Sequence, residues 1–377
     1  MKPFFSIVVA LVFPTMIFCQ TTAEEWYDKG VKLKTDKKVV DALEAFRKAS
    51  ELKADYKEAW YEAGWCLNDL KKYDAAVTSL KTSRALGFGH DSLFFELGFA
   101  FEKTNAIDSA IYQYNQVLKL NNVYSSAYKQ LGYVYYAKGE NEKALDNFLR
   151  YESVYKSPVT DYLYWYKKGV IENALKKYTE AKVSLNKSIG LKNNYINSYI
   201  ELGFASKNLK MDDEAIAYYK KAMEIDPKSY VPLNWIGEVY RDNKNDMNEA
   251  ITWYNKALAI NPNERKANFG IGYCKNSLGN YEEAITYLQK AIQNEPTYTA
   301  AYLELGYSQY KTGNYTGAIE SFNRALSLNP RNETARYYAT LIYITQNNKA
   351  MAQKMVDELK TMNSKHVTDL QDRVNKL

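Results

Sequence analysis

Nine glycines stand in register along this chain: Gly30, Gly64, Gly98, Gly132, Gly169, Gly203, Gly237, Gly272 and Gly306. The steps between them are 34, 34, 34, 37, 34, 34, 35 and 34 residues. An alanine ladder runs twelve residues behind, thirteen at Ala250, and extends to Ala352 in a tenth unit that carries Thr340 in place of glycine. A period of this length is the mark of stacked supersecondary units, each too small to bury its apolar face alone. The chain of 377 residues is then one long array rather than two ordinary domains.

Each unit reads as two helices. Trp60, Ala63, Gly64 and Leu67 fall at i, i+3, i+4 and i+7, one face of a first helix. Ala76, Leu80 and Ser83 mark a second, after the turn segment "NDLKKYD". Glycine inside a helix costs about 1 kcal/mol against alanine. Paying that nine times implies a close helix crossing at each one. Pro227, Pro262, Pro296 and Pro330 sit where the second helix must stop, because proline cannot continue it.

The order Trp/Tyr, Gly, Ala, Phe/Tyr/Leu, Ala, Pro at this spacing resembles the tetratricopeptide repeat (TPR) family. The resemblance covers roughly residues 23–363. It implies an all-α, right-handed superhelical solenoid of about ten helix-turn-helix units. Departures are visible. Ala54, Phe88 and Asn122 replace the closing proline in early repeats, and Tyr151 stands where a small residue is usual. The 37-residue step runs through "YESVYKSPVTDYLYW", where a longer or looser helix pair and a change of geometry at Pro158 are expected. The expected organisation is TPR units 1–4 over 23–156, units 5–10 over 157–363, and a capping helix over 364–377 that starts near Ser364. The extra residue before Ala250 is expected in a loop, "RDNKNDMNEA".

Residues 1–20 differ from the rest. Lys2 is followed by a mainly apolar run to Cys19, short of the roughly 20 apolar residues a membrane span needs. This pattern reads as a secretory signal peptide, so an exported protein, periplasmic or secreted, is expected. The segment also resembles a bacterial lipoprotein signal, although Phe18 stands where a small residue is usual. Membrane contact is expected only if Cys19 carries lipid. Beyond it, Cys66 and Cys274 lie six repeats apart, which points to two buried thiols rather than a disulfide.

Signatures of chemistry are absent. His90 and His366 are isolated and read as surface residues, so no metal site is expected. No phosphate loop, nucleophile elbow or zinc-protease motif occurs. Neither a catalytic residue nor a cofactor is expected, and the chain reads as a non-enzyme. The sequons at Asn314 and Asn332 carry no weight in an asparagine-rich chain.

The resemblance implies a concave face lined by the first helices. With the glycine as position 8, positions 2, 5, 9, 12 and 13 face the groove. These hold seven bases and six acids, a nearly neutral set. Such a groove cannot drive nucleic-acid binding by counterion release. Position 9 is commonly polar in the family. Here six of ten repeats are aromatic at that place: Trp65, Phe99, Tyr133, Phe204, Tyr273 and Tyr307. These are the candidate partner-binding residues, and packing into neighbouring helices is the alternative role. The expected function is a protein–protein interaction scaffold of the cell envelope that grips a polypeptide segment. A carbohydrate- or envelope-polymer-binding protein is the alternative, since tyrosine and tryptophan faces also stack on sugars.

Overall fold

A computed structural model describes residues 21–377, and the expected signal peptide with Cys19 lies outside them. The described residues form twenty-one α-helices and one π-helical turn, with no strand among them. In most repeats the helices alternate in length. First helices such as Asp91–Lys103 span 13 residues and second helices such as Ile107–Leu120 span 14. From Ala23–Thr35 through Asn141–Val154, and again from Tyr162–Ala174 through Val367–Asn375, each packs on its sequence neighbours, and some first helices of adjacent repeats also touch, as Lys57–Asp69 does with Asp91–Lys103.

The glycine ladder has a steric cause. A Cβ on Gly203 would lie 2.4 Å from the Tyr219 ring, and one on Gly132 would lie 2.3 Å from Phe148. All nine glycines face a leucine, tyrosine or phenylalanine of the second helix in their own repeat, none farther than 2.7 Å from the added atom. Those partners are at most 1% exposed. The large side chain fills the crossing and glycine yields the room. The tenth repeat inverts the arrangement: Thr340, fully buried, stands for glycine, and Val356 is the smallest residue of the partner set.

Within each repeat the turn between helices needs one residue with positive φ. Lysine or asparagine takes this place in most repeats, as at Lys37 (φ 60) and Asn105 (φ 60), and glycine in three, as at Gly139 (φ 78). There the next amide reaches back to the helix end, Lys38 N–H to the Leu33 carbonyl at 2.9 Å. Most second helices end on an extended residue, as at Asn261 before Pro262, and Lys53 and Asn121 make the same ending without proline. Asn314 and Asn332 are explained as helix caps, accepting the amides of Gly317 and Ala335.

Three expectations need correction. Of the longer or looser pair expected at the 37-residue step, the longer alternative fails: Asn141–Val154 has the usual 14 residues, and the extra length lies in the connection before Tyr162. Nor does the added residue near Ala250 sit in a loop. It is absorbed as a π-helical turn over Val239–Asn243 at the end of a first helix. The terminal helix is Val367–Asn375, starting three residues after Ser364, which instead bonds the Glu333 carboxylate.

The chain divides into two compact units, Met1–Pro158 and Val159–Leu377. The core of each is a series of small clusters shared by adjacent repeats. In the first unit, Phe46, Leu67, Leu80 and Leu97 belong to one cluster and Tyr114 and Leu131 to another. In the second, the largest cluster gathers Tyr219, Ile236, Tyr254 and Ile271, and Leu370 and Val374 of the last helix cover Val356 and Leu359.

Candidate binding face

The first helices place all six position-9 rings at a half-buried level, neither free nor in the core. Their neighbours explain this. Phe99, Phe204 and Tyr307 each meet edge-on the tyrosine that opens the second helix of the preceding repeat: Tyr73, Tyr178 and Tyr281, with centroids 6.0–6.2 Å apart. Phe204 and Tyr307 also meet Trp235 and Tyr338 of the next repeat. Tyr133 lies edge-on to Phe148, and Tyr273 lies beside Phe269 with the Arg241 guanidinium 5.3 Å from its centroid. Each of these five rings therefore packs in part, and Trp65 carries the Lys34 ammonium 3.9 Å from its centroid. Val31, which has no such partner, is 41% exposed.

Trp65 and Phe99 line one cleft of about 330 Å³, and Tyr273 and Tyr307 line another of about 500 Å³. Tyr133 and Phe204 line neither. The two clefts are one design built twice, once in each unit. Trp65, Asn68, Tyr73, Glu96 and Phe99 in the first correspond to Tyr273, Asn276, Tyr281, Glu304 and Tyr307 in the second, each 208 residues on.

The centre of each cleft is an asparagine–glutamate pair that reading the positions missed. The Asn68 amide donates to the Glu96 backbone carbonyl at 3.0 Å and to its carboxylate at 2.7 Å. Asn276 treats Glu304 identically, at 3.1 and 2.9 Å. A third copy joins Asn173 to Glu201 at 3.1 and 2.8 Å. Burial pushes all three carboxyls above the usual range, and the asparagine bond partly opposes it. In the last copy Ser308 donates to Asn276 Oδ1 at 2.6 Å, whereas Asn68 Oδ1 and Asn173 Oδ1 have no partner. Alanine occupies the serine's place in those repeats, at Ala100 and Ala205.

These glutamates stand at position 6, two before the glycine, a place outside the five groove positions. Position 6 carries five acids (Asp28, Glu62, Glu96, Glu201 and Glu304) against one base, Lys167, so the face is more acidic than the five positions suggested. The signal was present as "ELGF" at 96–99, "ELGF" at 201–204 and "ELGY" at 304–307.

Other candidates resolve simply. Cys66 and Cys274 are buried free thiols, pushed up to about 12 by desolvation, and so are unreactive. His90 is exposed and caps the helix Asp91–Lys103. His366 is not the surface residue expected; it is half-buried with its ring 4.5 Å from Tyr337. Among the described residues no three metal-binding side chains cluster, and no helix is long and apolar enough to cross a membrane.

Tetratricopeptide-repeat family models match residues 38–86 and 275–333, and a second such model matches 162–195. A model described as anaphase-promoting complex, cyclosome, subunit 3 matches 208–291. No curated protein matches the chain. Among solved structures, the C-terminal part of a TPR repeat-containing protein from Cytophaga hutchinsonii is 23% identical with a TM-score of 0.50, covering 65% of this chain and 99% of that one. PilW, a type IV pilus biogenesis factor, is 19% identical with the same score, covering 56% and 98%. PilF of Pseudomonas aeruginosa is 17% identical, again at 0.50, covering 56% and 96%. At such identities the likeness is one of fold. With the glycine register, the helix pairs and the repeat models in agreement, the chain belongs to the tetratricopeptide-repeat family.

Proposed function

We propose that the protein is a non-enzymatic scaffold of the cell envelope that holds an extended polypeptide segment against the first-helix face of its repeats. The observation that carries this reading is the cleft built twice from equivalent residues, with Trp65 and Phe99 in one and Tyr273 and Tyr307 in the other. Half-buried rings suit the task. Their packed side fixes the rotamer in advance, so little entropy is lost when the other side meets a ligand. Tyrosine and tryptophan are also the usual anchors of protein interfaces. Export of the mature chain follows from the charged start and short apolar run of residues 1–20.

The test is selection from a randomised dodecapeptide library with residues 21–377, beside a variant carrying Phe99→Ala and Tyr307→Ala. Wild type should enrich defined peptides, and the variant should bind them at least about tenfold more weakly at an unchanged melting temperature. Failure to enrich any peptide, or binding confined to a glycan array, refutes the reading. N-terminal sequencing of the exported product tests the localisation: a retained Met1 on a cytosolic protein refutes it.

A further inference from the structure

Two lysines show what this face does with a cation. Lys34, at position 12 of the first repeat, reaches into the second. Its ammonium lies 3.9 Å from the Trp65 ring centroid and 2.6 Å from the Glu62 carboxylate. Lys207, at position 12 of the sixth repeat, reaches into the seventh. There it lies 5.5 Å from the Trp235 ring and 2.9 Å from Glu238. In both cases positions 6 and 9 of one first helix supply one ring and one acid, in either order. Position 12 of the preceding repeat supplies the lysine. A ring face and a carboxylate together hold an ammonium by cation–π attraction and a charge-assisted hydrogen bond.

The same ring-and-acid pair recurs three times without its lysine. Glu96 with Phe99, Glu201 with Phe204 and Glu304 with Tyr307 occupy positions 6 and 9 of repeats 3, 6 and 9. In each case position 12 of the preceding repeat is asparagine, which bonds the carboxylate but brings no charge. None of the three glutamates forms an ion pair among the described residues. The cations that attract two of them from farther off are engaged elsewhere: Lys34 with Glu62, and Arg241 with Asp242 at 2.6 Å. Lys103 and Lys311 approach Phe99 and Tyr307 at 5.0 and 5.9 Å, and Lys103 is neutralised by Glu102.

We infer that Glu96, Glu201 and Glu304, each with its position-9 ring, are seats for lysine or arginine side chains of a bound polypeptide. This rests on the polypeptide-binding reading above and names the chemistry of the partner. The carboxyls' upward displacement fits, since a half-buried carboxylate without a counter-charge gains most from one. The chain's formal net charge of +6 does not forbid a basic partner, because charges farther off than about 8 Å are largely screened at physiological salt. Lysines at position 12 in other repeats keep those seats closed, which confines recognition to three places.

Fluorescein-labelled octalysine, titrated by anisotropy into residues 21–377, tests the seats. Wild type should bind it. The triple variant Glu96→Gln, Glu201→Gln, Glu304→Gln, which preserves shape and the asparagine bond, should bind at least about tenfold more weakly. Asn68→Lys, Asn173→Lys and Asn276→Lys together should close the seats from within and weaken binding to a similar degree. Glu62→Gln, at a seat already filled, should change affinity less than about twofold. The inference is overturned if the triple glutamine variant binds octalysine like wild type, if Glu62→Gln weakens binding as much, or if octaglutamate binds equally well. If wild type ignores octalysine but enriches uncharged peptides from the library, the seats fail while polypeptide binding stands.

Discussion

Replacing Gly203 by alanine tests the packing rule on which the array depends. In an open helix this change stabilises by about 1 kcal/mol. Here the new Cβ would lie 2.4, 2.6 and 2.8 Å from three atoms of the Tyr219 ring. Carbon atoms rest at about 3.5–4.0 Å, so the ring must retreat by about 1 Å. It has little freedom to do so, being fully buried with its face parallel to Trp235, centroids 6.2 Å apart and planes 7° apart. Overpacking of this kind costs about 1–3 kcal/mol. The net effect should be a destabilisation of up to about 2 kcal/mol. In a Tyr219→Val background, which reproduces the small partner that faces Thr340, the obstacle is gone. The same substitution should then stabilise by about 1 kcal/mol. Native-state hydrogen exchange of the amides in Ile196–Asn208 reads the local stability in all four proteins. The coupling should therefore reverse the sign of Gly203→Ala. The same sign in both backgrounds would refute the claim that Tyr219 is the reason for the glycine.

Two further outcomes follow from single atoms and single charges. The Tyr219 and Tyr254 hydroxyls are buried without a partner, whereas the Tyr114 hydroxyl donates to Glu102 at 3.0 Å. Tyr219→Phe and Tyr254→Phe should accordingly leave the melting temperature unchanged or raised, while Tyr114→Phe should cost about 1 kcal/mol; equal losses in all three would contradict the assignment. The carboxyls of Glu96, Glu201 and Glu304 are raised in the folded protein, so between the unfolded and folded values the native state binds more protons. Their contribution therefore favours folding as pH falls through the folded values toward the ordinary carboxyl value and is lost as pH rises through the folded values. The triple glutamine variant should lack this component, so that its melting temperature gains on wild type as pH rises; parallel pH curves for the two proteins would rule it out.

The all-helical class and the tetratricopeptide unit were legible because glycine recurs wherever a leucine, tyrosine or phenylalanine of the second helix fills the crossing, with a buried alanine twelve or thirteen residues on. Steric exclusion writes itself directly into residue identity. The closing prolines were legible for the same local reason, yet Lys53 and Asn121 end helices equally well, so proline reinforces an ending that backbone geometry already makes. The position-9 aromatics were visible as residue types but not as half-buried ones. A ring's exposure depends on Tyr73, Tyr178 or Tyr281, which lie 26 residues earlier and arrive only through stacking. The π-helical turn at Val239–Asn243 was missed because an inserted residue can be taken up by a loop or by widening one helical turn, and local sequence does not choose between them. The glutamate seats depended most on tertiary structure. Local pattern determines which residues a helix carries and which face they share. Whether Glu62 meets a lysine and Glu96 an asparagine is decided 28 residues away, by the side chain that the preceding repeat lays across it.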